Sequence, residues 1–171
     1  MNSPPQILAV IFLAACASVA SGQSEDTTYT VTVPVNMSLR PLQGPRSSDH
    51  PNTSGNITFT NSSWLAYTAS TTGSTVVFKA ETPFKVVSNP TLQRDVRLLV
   101  KQPFGSGGWV RTVTTSQTDY TAGDLNAEVA VSSSGPGFAF IFVNVTFLTG
   151  DLNTLTGGDY ELTLVGTITS N

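Results

Sequence analysis

Hydrophobic and polar residues alternate with a period of two along most of the chain. The clearest case is residues 29–37, where Tyr29, Val31, Val33, Val35 and Met37 are separated by polar residues or proline. Shorter alternating stretches follow at residues 57–59, 64–67, 75–80, 96–101, 109–115, 127–132 and 159–169. Side chains with this period lie on opposite faces of a β-strand. Turns rich in glycine and proline separate the stretches, and no 3.6-residue period follows residue 22, so the sequence predicts an all-β fold.

This pattern favours one antiparallel β-sandwich of about 8–10 strands, with an immunoglobulin-like architecture. Residues 40–55 interrupt it with three prolines and two glycines, which predicts a long polar loop. Residues 138–148 are apolar on both faces, and Phe138, Phe140 and Phe142 share one of them. Only one face of a sandwich strand meets the core. The loop at 40–55 or another subunit is therefore expected to cover these phenylalanines.

The N-terminus carries an apolar run at residues 7–20, followed by the small residues Ala20, Ser21 and Gly22. Such a run is shorter than the about 20 residues of a membrane-spanning helix, and it is typical of a secretory signal. We expect residues 1–22 to be removed, leaving one domain at 23–171 that is secreted or displayed at the cell surface. The stretch Leu13-Ala14-Ala15-Cys16 also resembles a bacterial lipobox, so lipidation of Cys16 and attachment to a membrane is the alternative.

Composition argues against most catalytic and nucleic-acid-binding functions. The formal net charge is −3 and charged residues make up 11 %, without a basic cluster, which disfavours nucleic acid as a partner. His50 is the only histidine, and no cysteine follows Cys16, so neither a disulfide nor a histidine-based metal site is expected. Asp119 and Asp124 are interpreted as turn residues around Gly123. We therefore expect no catalytic residue, no metal and no cofactor.

Aromatic residues provide an alternative binding hypothesis. Trp64 and Trp109, together with Tyr67 and Tyr120, could stack on the apolar faces of sugar rings as in a carbohydrate-binding module. A sandwich of this size also needs large residues in its core, and burial of at least one tryptophan is the competing expectation.

The C-terminal segment Gly157-Gly158-Asp159-Tyr160-Glu161-Leu162-Thr163-Leu164, continuing to Asn171, resembles the closing strand of pilin-like and spore-coat-U-like secreted subunits. Together with Arg94-Asp95, Gly108-Trp109 and Gly123-Asp124, residues 90–171 are similar to uncharacterised small secreted bacterial proteins. The resemblance implies a pilin-like sandwich. It also implies that residues 29–37 act as a donor strand that completes a neighbour's sheet; pairing within the same domain is the alternative.

The sequence therefore predicts a non-catalytic extracytoplasmic structural protein, a surface or matrix component that associates with itself or with other surface proteins. Strand edges and apolar faces would carry the assembly. The predicted contact residues are Tyr29, Val31, Val33, Val35, Phe138, Phe140, Phe142, Tyr160, Leu162 and Leu164. Glycan binding through Trp64 or Trp109, and a lipid-anchored binding protein modified at Cys16, remain the alternatives.

Overall fold

The structure is a computed structural model that describes residues 36–171, and within them it is built from β-strands and one 3₁₀ turn. This confirms the predicted all-β class. The strands are β1 Met37–Pro41, β2 Ile57–Thr68, β3 Ser74–Ala80, β4 Phe84–Val86, β5 Asn89–Arg94, β6 Val96–Val100, β7 Phe104–Gly105, β8 Val110–Val113, β9 Thr115–Gln117, β10 Ala127–Ser132, β11 Gly137–Phe147, β12 Tyr160–Glu161 and β13 Leu164–Ser170. The 3₁₀ turn is Leu152–Thr154.

All strand pairs are antiparallel, and they form three sheets. Sheet A has the order β1-β2-β11-β6-β9, with the short β7 also paired to β11. Sheet B has the order β13-β3-β10-β8, and the small sheet C has the order β12-β4-β5. The signal segment, Cys16 and the residues Tyr29, Val31, Val33 and Val35 lie outside the described residues.

The core lies between sheets A and B, because each strand turns alternate residues inward. In β3, Val76, Phe78 and Ala80 are buried while the residues between them are half-buried. The other inward residues of the core include Val96, Leu98, Val100, Val129, Val131, Ala139, Ile141 and Val143. Each fully buried large apolar side chain contributes about 1.5–3 kcal/mol to stability. The described chain contains no cysteine, so this core and the strand ladders hold the fold together.

The strand bounds differ from the sequence prediction: the stretches at 57–59 and 64–67 belong to one strand, β2, and two other predicted strands are each divided. The predicted strand at 159–169 is divided: β12 pairs with β4 in sheet C, whereas β13 pairs with β3 in sheet B. The predicted strand at 109–115 is divided too, with β8 in sheet B and β9 in sheet A. Alternation records only which way a side chain points, so it continues unbroken where a strand changes its hydrogen-bonding partner.

A bulge divides β2 into two segments. Asn61 has a φ of 57°, and the register with β11 shifts between Val143 and Val145. The side-chain oxygen of Asn144 accepts a hydrogen bond from the Asn61 N–H at 2.9 Å, which satisfies the donor that the bulge removes from the ladder. Ile57 and Phe59 before the bulge, and Trp64 after it, consequently all pack against the core.

Candidate binding surfaces

The outward side of sheet A carries a continuous cluster of apolar residues near one end. The β11–β2 register sets Phe138 opposite Tyr67 and Phe140 opposite Leu65. On the other side of β11, β7 sets Phe104 opposite Phe140. Directly opposed residues of antiparallel strands project from the same face. We call this surface the outer aromatic face; its members are Leu65, Tyr67, Phe104, Phe138, Phe140 and Phe142.

Three of these aromatic side chains are substantially exposed. The exposed fraction is 72 % for Phe104, 45 % for Tyr67 and 43 % for Phe138. The rings of Phe138 and Phe140 meet edge to face, with centroids 6.1 Å apart. Single exposed apolar residues are ordinary, whereas a cluster of exposed aromatic residues on one sheet face is a candidate interaction surface.

The loop at 40–55 does not cover this face, so the first of the two predicted covers, the loop rather than another subunit, is wrong. Arg46 donates from Nη1 to the carbonyl oxygen of Thr60 at 2.6 Å, and the His50 ring lies edge to face on Phe147, with centroids 5.9 Å apart. Phe147 is at the far end of β11 from Phe138, about 30 Å away at the rise of a strand. The loop therefore packs against the opposite end of sheet A.

Apart from Leu99 on β6, the rest of the same outward side is largely polar, and the charged residues on its described strands are positive. Hydroxyl groups of Thr58 and Thr146 are 3.0 Å apart across the strands, and Lys101 donates from Nζ to Oδ1 of Asn61 at 2.7 Å. The six described strands of sheet A contain Arg40 and Arg97 but no aspartate or glutamate.

Strand β13 forms a second candidate surface, because it is an edge strand of sheet B within residues 36–171. The N–H of Asn171 donates to the carbonyl oxygen of Gly73 on the β3 side at 3.2 Å. Because N–H directions alternate along a strand, those of Leu164, Gly166 and Ile168 point away from β3. β13 contains no charged residue and no proline.

Other predicted assembly residues near the C-terminus pack inward. Tyr160 meets Phe147 edge to face at 5.2 Å, and its hydroxyl donates to the carbonyl oxygen of Thr156 at 3.1 Å. Leu162 and Leu164 are half-buried and pack against the core. These side chains therefore stabilise their own domain; what β13 offers to a partner is its backbone edge.

The two tryptophans do not form a sugar platform. Trp109 is 6 % exposed and belongs to the core, and its Nε1–H has no partner within the described residues. Trp64 is half-buried and packs edge to face on Phe78 with centroids 5.1 Å apart. Stacking on a sugar needs an exposed ring face, so the structure argues against both residues in this role, and against Trp109 most strongly.

The polar side chains around His50 and Thr149 make hydrogen bonds that hold the loop at 40–55 in place. His50 Nδ1 accepts from the Asn52 N–H, which leaves Nε2 to pair with Thr149 Oγ1 at 3.0 Å. The Thr149 hydroxyl is buried and donates to the carbonyl oxygen of Gly55 at 2.7 Å. This hydroxyl is therefore committed to holding the loop and is not a free nucleophile.

Arg94 is the most buried charged residue of the described chain, at 8 % exposed. It donates to the carbonyl oxygen and the hydroxyl of Thr154, to the Gln93 carbonyl oxygen and to the Tyr120 hydroxyl. All four acceptors are neutral, and they fasten β5 to the 3₁₀ turn. Asp95 beside it accepts from the Thr118 hydroxyl at 2.7 Å and the Tyr120 N–H at 2.9 Å. This cluster holds chain segments together.

The acidic turns are also structural. Asp119 and Asp124 form an isolated β-bridge, as the turn interpretation predicted. Asp151 caps the 3₁₀ turn by accepting from the Asn153 N–H. Within residues 36–171 no group of three or more histidine, cysteine, aspartate or glutamate side chains is arranged to hold a metal ion.

Comparison with known protein families, with curated proteins and with solved structures finds no match for this chain. Residues 36–171 contain no helix with the length and hydrophobicity of a membrane span.

Sequence reasoning identified Phe138, Phe140 and Phe142 as one face but missed Phe104 and Leu65, which complete the outer aromatic face. Phe104 lies in a two-residue strand inside a glycine-rich turn, where no periodicity can be measured. Its position after Pro103 gave no signal of where the ring would point.

Proposed function

We propose that this protein is a non-catalytic, extracytoplasmic structural component of a surface layer or matrix, and that it self-associates through the edge of β13. The observation that carries the proposal is the character of that edge. Native proteins protect exposed edge strands with charges, prolines, bulges or very short length. β13 is seven residues long and has neither a charge nor a proline. An edge of this kind is expected to be paired in the working assembly.

The nearby edge strand of sheet A, β1, is protected against strand addition. β1 contains Arg40 and ends at Pro41, both of which discourage further strand addition. Strand addition is therefore expected at β13 rather than at β1.

An alternating sequence suited to pairing with this edge lies immediately before β1 in the chain. Tyr29, Val31, Val33 and Val35 share the odd-numbered alternation of Met37 and Leu39, which face inward in β1. β2 ends at Thr68 opposite Met37, the Ala69 N–H donates to the Asn36 carbonyl oxygen at 2.9 Å, and the chain then turns at residues 70–73 into β3, so the end of β2 offers no continuing strand opposite residues 29–35. We infer that residues 29–35 of a neighbouring copy add to β13, and the apolar segment at 7–20 supports export before assembly.

Light scattering coupled to size-exclusion chromatography tests the proposal on residues 23–171. We expect oligomers that grow with concentration, and a monomer when residues 23–35 are deleted. Thr167→Lys places a charge on the β13 edge and should also give a monomer. The matched control is Thr112→Lys on β8, the other edge of sheet B, which already carries Arg111 and should leave association unchanged.

The contrary outcome is a strict monomer at high concentration that is not altered by a peptide of residues 27–38. Self-association that persists both after deletion of residues 23–35 and in Thr167→Lys would show that β13 is not the contact surface.

The outer aromatic face supports a second contact surface in the same structural role. Another subunit was one of the two predicted covers for Phe138, Phe140 and Phe142, and the exposure of Phe104, Tyr67 and Phe138 favours a partner on this face.

A further inference from the structure

We propose that the outer aromatic face binds a linear anionic polysaccharide, by stacking sugar rings on its aromatic side chains and pairing their acidic groups with the arginine and lysine residues around it. The surface lies on sheet A, and the proposed assembly edge lies on sheet B. Polysaccharide binding by the outer aromatic face and self-association through β13 therefore rest on separate observations, and each can be tested without the other.

Stacking is provided by aromatic rings that project from a single sheet face. Phe104, Phe140 and Leu65 form one row across three strands, and Phe138 and Tyr67 form the next row. The C–H faces of a sugar ring are apolar, so covering an aromatic side chain with them removes apolar surface from water on both partners. A row several strands wide suits an extended chain better than a single small molecule.

Charge complementarity identifies the polymer as anionic. Arg40 is opposite Leu65 in the same row, and the Lys101 N–H bonds the Phe142 carbonyl oxygen at 2.9 Å, which sets Lys101 beside Phe142. Arg97 continues the positive charge along β6. No carboxylate stands on the six described strands of this sheet, although the whole chain carries a net charge of −3. A cationic aromatic face on an acidic protein suits an anionic partner.

The polar half of the same face adds hydrogen-bonding groups. Ser38 is opposite Tyr67 and Ser63 is opposite Phe142, and the exposed Asn61 and Thr58 follow along β2. Hydroxyl and amide groups interleaved with aromatic rings are what a chain of sugar hydroxyls needs.

A second copy of this chain is a poorer occupant. Two identical faces packed about a two-fold axis would bring two surfaces with Arg40, Arg97 and Lys101 together, without a carboxylate on the six described strands of either sheet A to compensate. Like charges in such an interface cost affinity.

Affinity electrophoresis of residues 23–171 in gels containing polygalacturonate tests the proposal, with neutral dextran as the polymer control. We expect retardation by polygalacturonate alone, weakening as salt is raised because the charge pairs are exposed. Phe138→Ala and Phe104→Ala should each weaken binding about tenfold. Arg40→Gln should weaken it about threefold at low salt and not at high salt.

Val110→Ala and Lys79→Gln are the matched controls, because Val110 is exposed on β8 and Lys79 lies opposite Glu128 on the outward side of sheet B, away from the β13 edge. Both should bind polygalacturonate like the unaltered chain. The replaced residues of the outer aromatic face are exposed, so an unchanged urea midpoint verifies that each variant folds.

Four outcomes would overturn the proposal. Two concern the gels: polygalacturonate does not retard the protein, or the sheet B control variants weaken binding as much as the variants of the outer aromatic face. The third is capture of the protein by vesicles of anionic phospholipid without any binding to the polysaccharide. The fourth is a change of oligomeric state in Phe138→Ala while polysaccharide binding stays intact. The last outcome would identify a second copy as the occupant.

Discussion

Hydroxyl side chains supply many of the polar contacts that ion pairs supply in other proteins. At the turn between β2 and β3, the hydroxyls of Thr68 and Ser74 are 2.6 Å apart and both side chains are fully buried. Thr68 also accepts from the Ser70 N–H, and Ser133 accepts from the Ser74 N–H at 2.8 Å. Each hydroxyl can both donate and accept, so a few of them satisfy a buried turn without charge.

The Asp119 carboxylate is also held by a hydroxyl and a backbone N–H, and its pKa can be measured. Its carboxylate accepts from the Thr121 hydroxyl at 2.7 Å and from the Ala122 N–H at 3.0 Å, and these bonds lower its pKa below the ordinary value of 3.8. We expect Thr121→Val to raise the pKa of Asp119 toward 3.8, because the largest cause of the shift is removed. Side-chain carboxyl titration by NMR measures this, with Thr156→Val as a remote control.

The sign follows from linkage. A pKa lowered by folding stabilises the folded state above the unfolded value, and this contribution is lost as the pH falls through the folded pKa. The contribution of this turn should therefore disappear only below about pH 3.8. An unchanged Asp119 titration in Thr121→Val would show that the hydroxyl has no influence on the carboxylate.

Strands β1 and β13 belong to different sheets and approach each other closely at one glycine. A methyl group added to Gly166 would lie 2.9 Å from Cδ2 of Leu39, 3.1 Å from Cζ3 of Trp64 and 3.3 Å from Cε1 of Phe78. The absence of a side chain at Gly166 therefore sets how near the two edge strands can pack.

Gly166→Ala is accordingly expected to lower the free energy of unfolding by about 1–3 kcal/mol, because the core around it is already filled. Urea unfolding measures the change. Gly157→Ala is the control, since nothing lies within 4 Å of its added methyl group, and it should change stability by less than about 0.5 kcal/mol. Equal urea midpoints for the two variants would show that β1 moves to accept the added methyl group without a loss of stability.

At the scale of the whole molecule, the two proposed surfaces lie on different sheets and share no residue. The edge of β13 is formed by backbone groups of sheet B, and the outer aromatic face by side chains of sheet A. This arrangement would let a subunit join its neighbours and hold a matrix polymer at the same time.

Because the two surfaces are separate, a substitution in one should leave the function of the other unchanged. Thr167→Lys should abolish self-association and leave polygalacturonate binding of the monomer unchanged, whereas Phe138→Ala should weaken polygalacturonate binding and leave the oligomer distribution unchanged. Sites without shared partners have nearly additive effects, so the double variant should show both losses and no more. Coupled losses in either single variant would indicate one surface rather than two.

Sequence alone predicted the fold class and the two faces of β11 because both depend on a local period. The alternation of Ala139, Ile141 and Val143 with Phe138, Phe140 and Phe142 appears in the structure as buried and outward residues of one strand. The loop at 40–55 was predicted to be polar and exposed for similarly local reasons. The position of the loop at the Phe147 end of sheet A was not predicted, because its proline and glycine content does not indicate the direction in which it runs.

The sequence by itself determined that this chain forms β-strands, which side chains of each strand share a face, and that chemistry based on several histidines or cysteines is not available to it. Those properties follow from backbone geometry and residue type. Only the tertiary structure decided which strands pair, that the two tryptophans pack inward, that Phe104 joins Phe138 and Tyr67, and that β13 is an edge of sheet B among the strands of residues 36–171. Strand pairing depends on contacts between residues far apart in the chain, and no local period encodes those contacts.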